Sequence, residues 1–158
     1  GLPADTDINT VITNADVDTV ITYDPAAAGG WSTAVREAGG SLAGTLTNID
    51  GSLGLWVHTT TFEPIKVDIP GISAGASMLP TSFSLLAGWN LVPVATLDIE
   101  TADSIDVDTY FSGLSWSRAY AFNSTTNKFV GIVPDTTATV EIGKGYWIFL
   151  KADGTLVP

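Results

Sequence analysis

Four stretches of this 158-residue chain recur in the same order. Internal repetition restricts the possible folds before any motif does, because each copy must be one supersecondary unit. Asp7-Ile8-Asn9-Thr10 is similar to Asp98-Ile99-Glu100-Thr101, and Asp16-Val17-Asp18-Thr19 is identical to Asp106-Val107-Asp108-Thr109. Residues 20–24 are similar to 119–123, and Gly54-Leu55-Trp56-Val57 to Gly145-Tyr146-Trp147-Ile148. Three of these offsets are 90 or 91 residues and one is 99. The spacing predicts a first unit over 1–71 and a second over 72–158, as two repeats or as one pseudo-symmetric domain. An apolar run over 85–94 opens the second unit, and nothing like it precedes Asp7. The first unit is therefore expected to lack its opening strand, which was trimmed off or is supplied from elsewhere.

The local pattern predicts an all-β sandwich or barrel with at most short helical turns. Val, Ile, Thr, Trp, Tyr and Phe alternate with small or polar residues over 19–23, 53–60, 65–69, 82–86, 90–94, 117–122, 128–133, 146–151 and 155–157. Gly and Pro pairs punctuate these runs, and Asp153-Gly154 reads as a tight hairpin. Residues 32–38 are expected to form two helical turns ended by Gly39-Gly40, and 108–114 one turn. The segment 70–80 is the expected boundary between units.

The second unit carries a recognisable set of motifs. It opens with Ala87-Gly88-Trp89-Asn90-Leu91-Val92 and closes with Gly143-Lys144-Gly145-Tyr146-Trp147-Ile148, followed by Ala152-Asp153-Gly154-Thr155. This resembles the GWNL…GKGYW repeat modules of large secreted and cell-surface proteins of bacteria and archaea, among them adhesins and surface-layer-like chains. The first unit looks like a divergent copy, with Leu55 where the motif has an aromatic residue. The resemblance implies an extracellular, non-catalytic β module, with Gly88, Trp89, Asn90, Gly145, Tyr146 and Trp147 as its structural motif. Trp56, Trp89 and Trp147 are expected as core residues, since Trp buries a large apolar area.

Composition narrows the function classes. Lys and Arg total 6 against 17 Asp and Glu, a net charge of −11, which argues against a nucleic-acid partner and against an anionic membrane surface. No run of about 18 to 20 apolar residues suggests membrane insertion. With no Cys and one His, His58, thiol chemistry and His-based relays or metal sites have almost no material. His58 reads as a strand residue. The start Gly1-Leu2-Pro3, with no Met and no basic leader, reads as a mature or excised product.

Two sets of residues are candidates for binding. Asp5, Asp7, Asp16, Asp18, Asp106 and Asp108 are candidate calcium ligands, because a hard cation takes several carboxylate oxygens. Asp5, Asp7, Asn9, Val11, Thr13 and Asp16 even follow the spacing of an EF-type loop, although Thr10 stands where that loop wants Gly. The alternative is solvated loops of an acidic surface. Trp31 and Trp116 flank loops and are candidates for stacking on sugar rings. The expected function is a non-catalytic structural or adhesive module of a cell-surface or filament-forming protein, self-assembling by strand complementation. Its partners would be other copies of itself, neighbouring modules or surface glycans. The alternative is a carbohydrate-binding module using exposed Trp. No cofactor is expected other than the calcium of those clusters.

Overall fold

The structure, a computed structural model, describes Leu2 and residues 5–61, 82–95 and 103–158. The chain separates into two compact units, Gly1–Ser77 and Met78–Pro158. The strand expected over 65–69 and the boundary expected over 70–80 lie outside the described residues.

The first unit runs β1 (Thr6–Asp7), α1 (Ile8–Val11), β2 (Val17–Tyr23), β3 (Trp31–Arg36), β4 (Leu42–Gly44), β5 (Asn48–Ile49) and β6 (Leu55–Thr59). Its main sheet has the order β4-β3-β2-β6, and β1 pairs with β5. Val17, Val20, Ala34, Leu42, Leu46 and Ile49 pack with Ile8, Val11 and Ile12 of the helical turn into one core. Burial of this apolar set, more than helix propensity, holds a four-residue turn that would not persist alone.

The second unit runs β7 (Phe83–Leu85), β8 (Gly88–Pro93), β9 (Ser104–Asp106), α2 (Val107–Tyr110), β10 (Trp116–Asn123), β11 (Lys128–Ile132), β12 (Thr139–Glu141), β13 (Gly145–Leu150) and β14 (Gly154–Leu156). Its main sheet has the order β11-β10-β13-β8, flanked by the pairs β12-β9 and β14-β7. All pairings in both units are antiparallel. Val92, Ala119, Ile132, Ile148 and Leu150 line the inner face and meet Val107, Tyr110 and Phe111 from the turn and Val140 from β12. Helix among the described residues is confined to the two four-residue turns, so the fold is all-β.

The two units match element by element. Thr6 lies opposite Ile49 and Ile105 opposite Val140 in the small pairs that precede each turn. Asp7 caps α1 by accepting the Asn9 N–H, and Asp106 caps α2 by accepting the Thr109 N–H. The central pairs break register at the same place, between Val17 and Thr19 in β2 and between Trp116 and Arg118 in β10. The hairpin that follows carries an edge-to-face ring pair in each: Tyr23 on Trp31 at 5.0 Å, and Phe122 on Phe129 at 5.4 Å. A bulge and a cap at matching positions are local backbone choices that a chance likeness of composition would not reproduce.

This register corrects two sequence expectations. Asp7 corresponds to Asp106, an offset of 99, and not to Asp98; Asp16 has no place in α2, since it precedes β2. The identical tetrapeptides at 16–19 and 106–109 fold differently, the first entering a strand and the second forming the turn. From the facing pairs, Ala34 corresponds to Ile132, an offset of 98, and Ile49 to Val140, an offset of 91. The seven-residue fall lies where the first unit has β4. The second correction concerns 32–38, which form not a helix but most of β3. Trp31, Thr33 and Val35 favour extended backbone, and β3 gains ladder bonds from β2 on one side and β4 on the other.

The inserted strand is fastened by side chains. Asn9 behaves like a strand residue toward Leu42, donating Nδ2 to its carbonyl at 3.0 Å and accepting its N–H at 2.7 Å. Arg36 donates to the carbonyls of Val17 at 2.5 Å and Asn14 at 2.8 Å, and to that of Gly40. Gly44 is required, because its φ is +152° and a Cβ there would lie 2.2 Å from the Thr33 carbonyl oxygen.

Loss of an N-cap costs a helix about 1 kcal/mol. Asp7→Ala and Asp106→Ala are each expected to lower stability by about that amount in urea unfolding. Asp16→Ala, whose carboxylate caps neither turn, is expected to change it by less than about 0.5 kcal/mol.

Candidate functional site

Besides β4, the match between the units leaves β7, β8 and β14 without counterparts among the described residues. In the second unit β13 is flanked on both sides, by β10 and by β8. In the first unit the equivalent strand, β6, pairs with β2 and ends the sheet among the described residues. The Val94 N–H donates to the Lys144 carbonyl at 2.8 Å. Bonded positions alternate in an antiparallel ladder, so Tyr146, Ile148 and Leu150 direct their backbone groups to β8. Their counterparts, at the offset of 91, are Leu55, Val57 and Thr59.

Burial follows the same division. Tyr146, Ile148 and Leu150 are 2%, 0% and 1% exposed, whereas Leu55, Val57 and Thr59 are half-buried. β7, β8 and β14 deliver Phe83, Leu85, Val92 and Leu156 to the second core. The first core has no equivalent of these among its described residues. β6 also carries no Lys or Pro, the residues that usually blunt an edge strand.

The motif residues explain how β8 is built. Gly88 has a φ of +103°, which bends the chain between β7 and β8. Asn90 is 2% exposed and fastens that bend, donating Nδ2 to the Leu86 carbonyl at 2.8 Å and the Gly88 carbonyl at 3.2 Å while accepting the Leu86 N–H. Asp153 accepts the Ala87 N–H at 2.7 Å from the facing bend. Gly145 opens β13 opposite Pro93. Tyr146 is a core residue whose hydroxyl accepts the Glu141 N–H at 2.9 Å.

The Trp residues fall on other faces than the sequence suggests. Trp89 is 36% exposed, Trp147 is half-buried, and neither belongs to the core cluster. They have the opposite parity to Val92 and Ile148 and so lie on the outer face of the sheet. Trp56 matches Trp147 and is also half-buried. Trp116 is the buried one, 7% exposed and edge-to-face on Phe111 at 5.5 Å, so it is not available to stack on a sugar. Trp31 is 55% exposed.

An aromatic surface missed in the sequence follows from this. Trp89, Tyr120, Phe129 and Trp147 line an open hollow of about 300 Å³. Trp89 contacts Tyr120 at 5.8 Å and Phe149 at 5.2 Å, and the Arg118 guanidinium lies 5.7 Å over the Phe149 ring. The signal was present in Gly145-Tyr146-Trp147-Ile148-Phe149-Leu150, which is apolar at both parities and therefore needs cover on two faces. The ring planes meet at 40° to 85°, so the rings pack on one another instead of forming a coplanar track.

Four of the candidate calcium ligands make contacts within the protein. Asp7 and Asp106 cap helical turns, Asp108 accepts the Asp135 N–H at 2.9 Å, and Asp18 contacts His58 Nδ1 at 2.7 Å. Asp5 and Asp16 stand in the bends before β1 and β2. The EF-type spacing falls on β1, α1 and the chain leading to β2. Among the described residues no three His, Asp or Glu side chains come together to hold a metal. Asp24, Asp50 and Asp153 likewise accept a backbone N–H each, so much of the negative charge serves to shape turns.

His58 stands on the open surface of β6, with its side chain 70% exposed. Its hydrogen bond holds the Asp18 carboxyl below the usual value. Among the described residues no helix is long and apolar enough to cross a membrane. Compared with family models, with curated proteins and with solved structures, the chain gave no match in any of the three. The likeness to GWNL…GKGYW modules thus rests on the motif residues themselves.

Tyr110 links the turn to the end of β8. Its hydroxyl donates to the Pro93 carbonyl at 3.3 Å and accepts the Ala95 N–H at 3.0 Å. Burial pushes its pKa up, and the Ala95 bond opposes this. A phenol raised in the folded state favours folding fully below its unfolded value of about 10. That contribution is lost as pH rises through the folded value, because the unfolded chain ionises first. Urea unfolding from pH 8 to 11.5 is therefore expected to show a steeper loss for the native chain than for Tyr110→Phe, with the two slopes converging below about pH 9.

Proposed function

We propose that this chain is a non-catalytic structural or adhesive β module of an extracellular surface or filament-forming protein, joined to its neighbours through the edge of β6. The observation that carries the reading is the unequal pair of units: the same core arrangement occurs twice, and among the described residues the first copy has no strand in the place of β8. An edge that, among the described residues, has no partner strand and carries no Lys or Pro is a template for strand addition. The extracellular setting rests on the motif residues at 88–92 and 143–148. The polar side chains also favour a scaffold, since Asn9, Arg36, Asn90 and the Asp residues are spent on turns and bends.

Assembly is tested by sedimentation velocity of the purified chain over a hundredfold range of concentration, roughly 1 to 100 μM. Self-association that grows with concentration is expected, weakened by Val57→Lys on the edge strand. A monomer throughout that range would remove self-assembly from the reading.

Glycan binding is the second reading, and the exposed Trp31 and the aromatic hollow at Trp89 favour it, since sugar rings stack on such faces. Its test is a titration of Trp fluorescence with soluble polysaccharides. A saturable change lost in both Trp31→Ala and Trp89→Ala is the result this reading expects, and no change with any polysaccharide counts against it.

A further inference from the structure

We infer that the aromatic hollow on the outer face of the second unit takes a sugar ring that bears a carboxylate, a uronic acid residue of an acidic polysaccharide, and that Arg118 receives the carboxylate. The inference deepens the second reading of function and rests on it, but it names the class of glycan and the residue that selects it.

The fold does not require this hollow. From the facing pairs, Arg118, Tyr120, Gly131 and Phe149 correspond to Thr19, Ile21, Thr33 and His58, and the first unit builds the same three paired strands with those residues. Gly131 faces Tyr120 in the ladder, and a Cβ there would lie 3.3 Å from the Tyr120 ring. A position without a side chain thus leaves space between Tyr120 and Phe129. Phe129 is 53% exposed and Trp89 36%, so both present ring surface to what enters. A hollow of about 300 Å³ lies at the small end of ligand sites and suits one ring, not a chain of them. The C–H face of a sugar carries a slight positive charge and is drawn to the negative face of an aromatic ring.

Arg118 supplies the charge. Side chains alternate along a strand, and the outward positions of β8, β10, β11 and β13 carry one charged residue, Arg118, and no Asp or Glu. This holds in a chain with 17 acidic and 6 basic residues. Arg118 is exposed, and its guanidinium lies over the Phe149 ring, which in turn contacts Trp89. Among the described residues no carboxylate pairs with it. The planar fork of a guanidinium takes both oxygens of a carboxylate in two parallel hydrogen bonds. The net charge of −11 repels a polyanion at long range, but charges beyond about 8 Å are screened at physiological salt, so the local face decides for a single residue. A quaternary ammonium group would find the same rings, but Arg118 beside them repels it.

The test is calorimetric titration of the whole chain, near neutral pH and about 0.15 M salt, with short oligomers of galacturonate, of mannuronate and of hyaluronan. Each oligomer is used with its carboxyls free and with them methyl-esterified. At least one free acid is expected to bind about tenfold more tightly than its ester. Arg118→Gln is expected to abolish that preference and Arg118→Lys to keep part of it. Trp89→Ala and Phe129→Ala are expected to weaken acid and ester alike, with urea unfolding used to show that both variants are folded. Equal binding of acid and ester overturns the inference and leaves the glycan reading standing. So does a preference that survives in Arg118→Gln, or a response to neutral polysaccharides alone. No binding of any oligomer or polysaccharide removes both. Binding of tetramethylammonium that Arg118→Gln strengthens and Trp89→Ala abolishes assigns the hollow to a cation and overturns the inference. Self-association lost in Phe129→Ala, read by sedimentation, assigns the face to a second copy and overturns it as well.

Discussion

A strand inside a sheet must satisfy its backbone groups on both sides, and this requirement organises both units. β13 meets it with β10 and β8, and the arrangement is closed by a turn that Asp106 caps and Tyr110 ties to the end of β8. Once both ladders exist, Tyr146, Ile148 and Leu150 have cover along their length and are buried. β6 meets the requirement on one side within the described residues, and its inner side chains stay half-exposed. Among the described residues the two cores thus differ in the strands that supply hydrogen bonds to β13 and β6, and burial follows the same division.

The first unit has gained material on the opposite side. β4 extends the sheet beyond β3, which is itself an edge in the matching strand β11. Asn9, Arg36 and Gly44 hold this addition in place by contacts to backbone carbonyls and amides. These are polar and steric fastenings, and they contribute little apolar burial beyond Leu42. Both units therefore have four-stranded sheets in the count, but their strands are not the same four.

The all-β class was legible because β-branched and aromatic residues recur between Gly and Pro turns, and the duplication was legible from its motifs. Its register was not, because identical tetrapeptides at 16–19 and 106–109 suggested an alignment that backbone context overrules. The helix expected at 32–38 failed because propensity is weak beside two flanking ladders. Trp31 is exposed as its loop position suggested, but Trp56, Trp89, Trp116 and Trp147 were assigned to the wrong faces, since type alone does not tell parity; Trp116 and Trp89 exchange the roles expected of them. The Asp clusters suggested a cation because carboxylates near one another in sequence look convergent. In the fold they point to separate backbone amides, at Asn9, Thr109 and Asp135.

Pro93 has a consequence for how far such a sheet can grow. β8 is the last strand of its sheet among the described residues, and Pro93 ends it with a residue that has no N–H to offer a further neighbour. Gly88 and Asn90 turn its other end back on itself. A strand of this composition completes a sheet and leaves a poor surface for the next one. Any association built on such a strand would be stoichiometric, one strand for one place, in contrast to the open-ended stacking of fibrils in which every added strand is as receptive as the last.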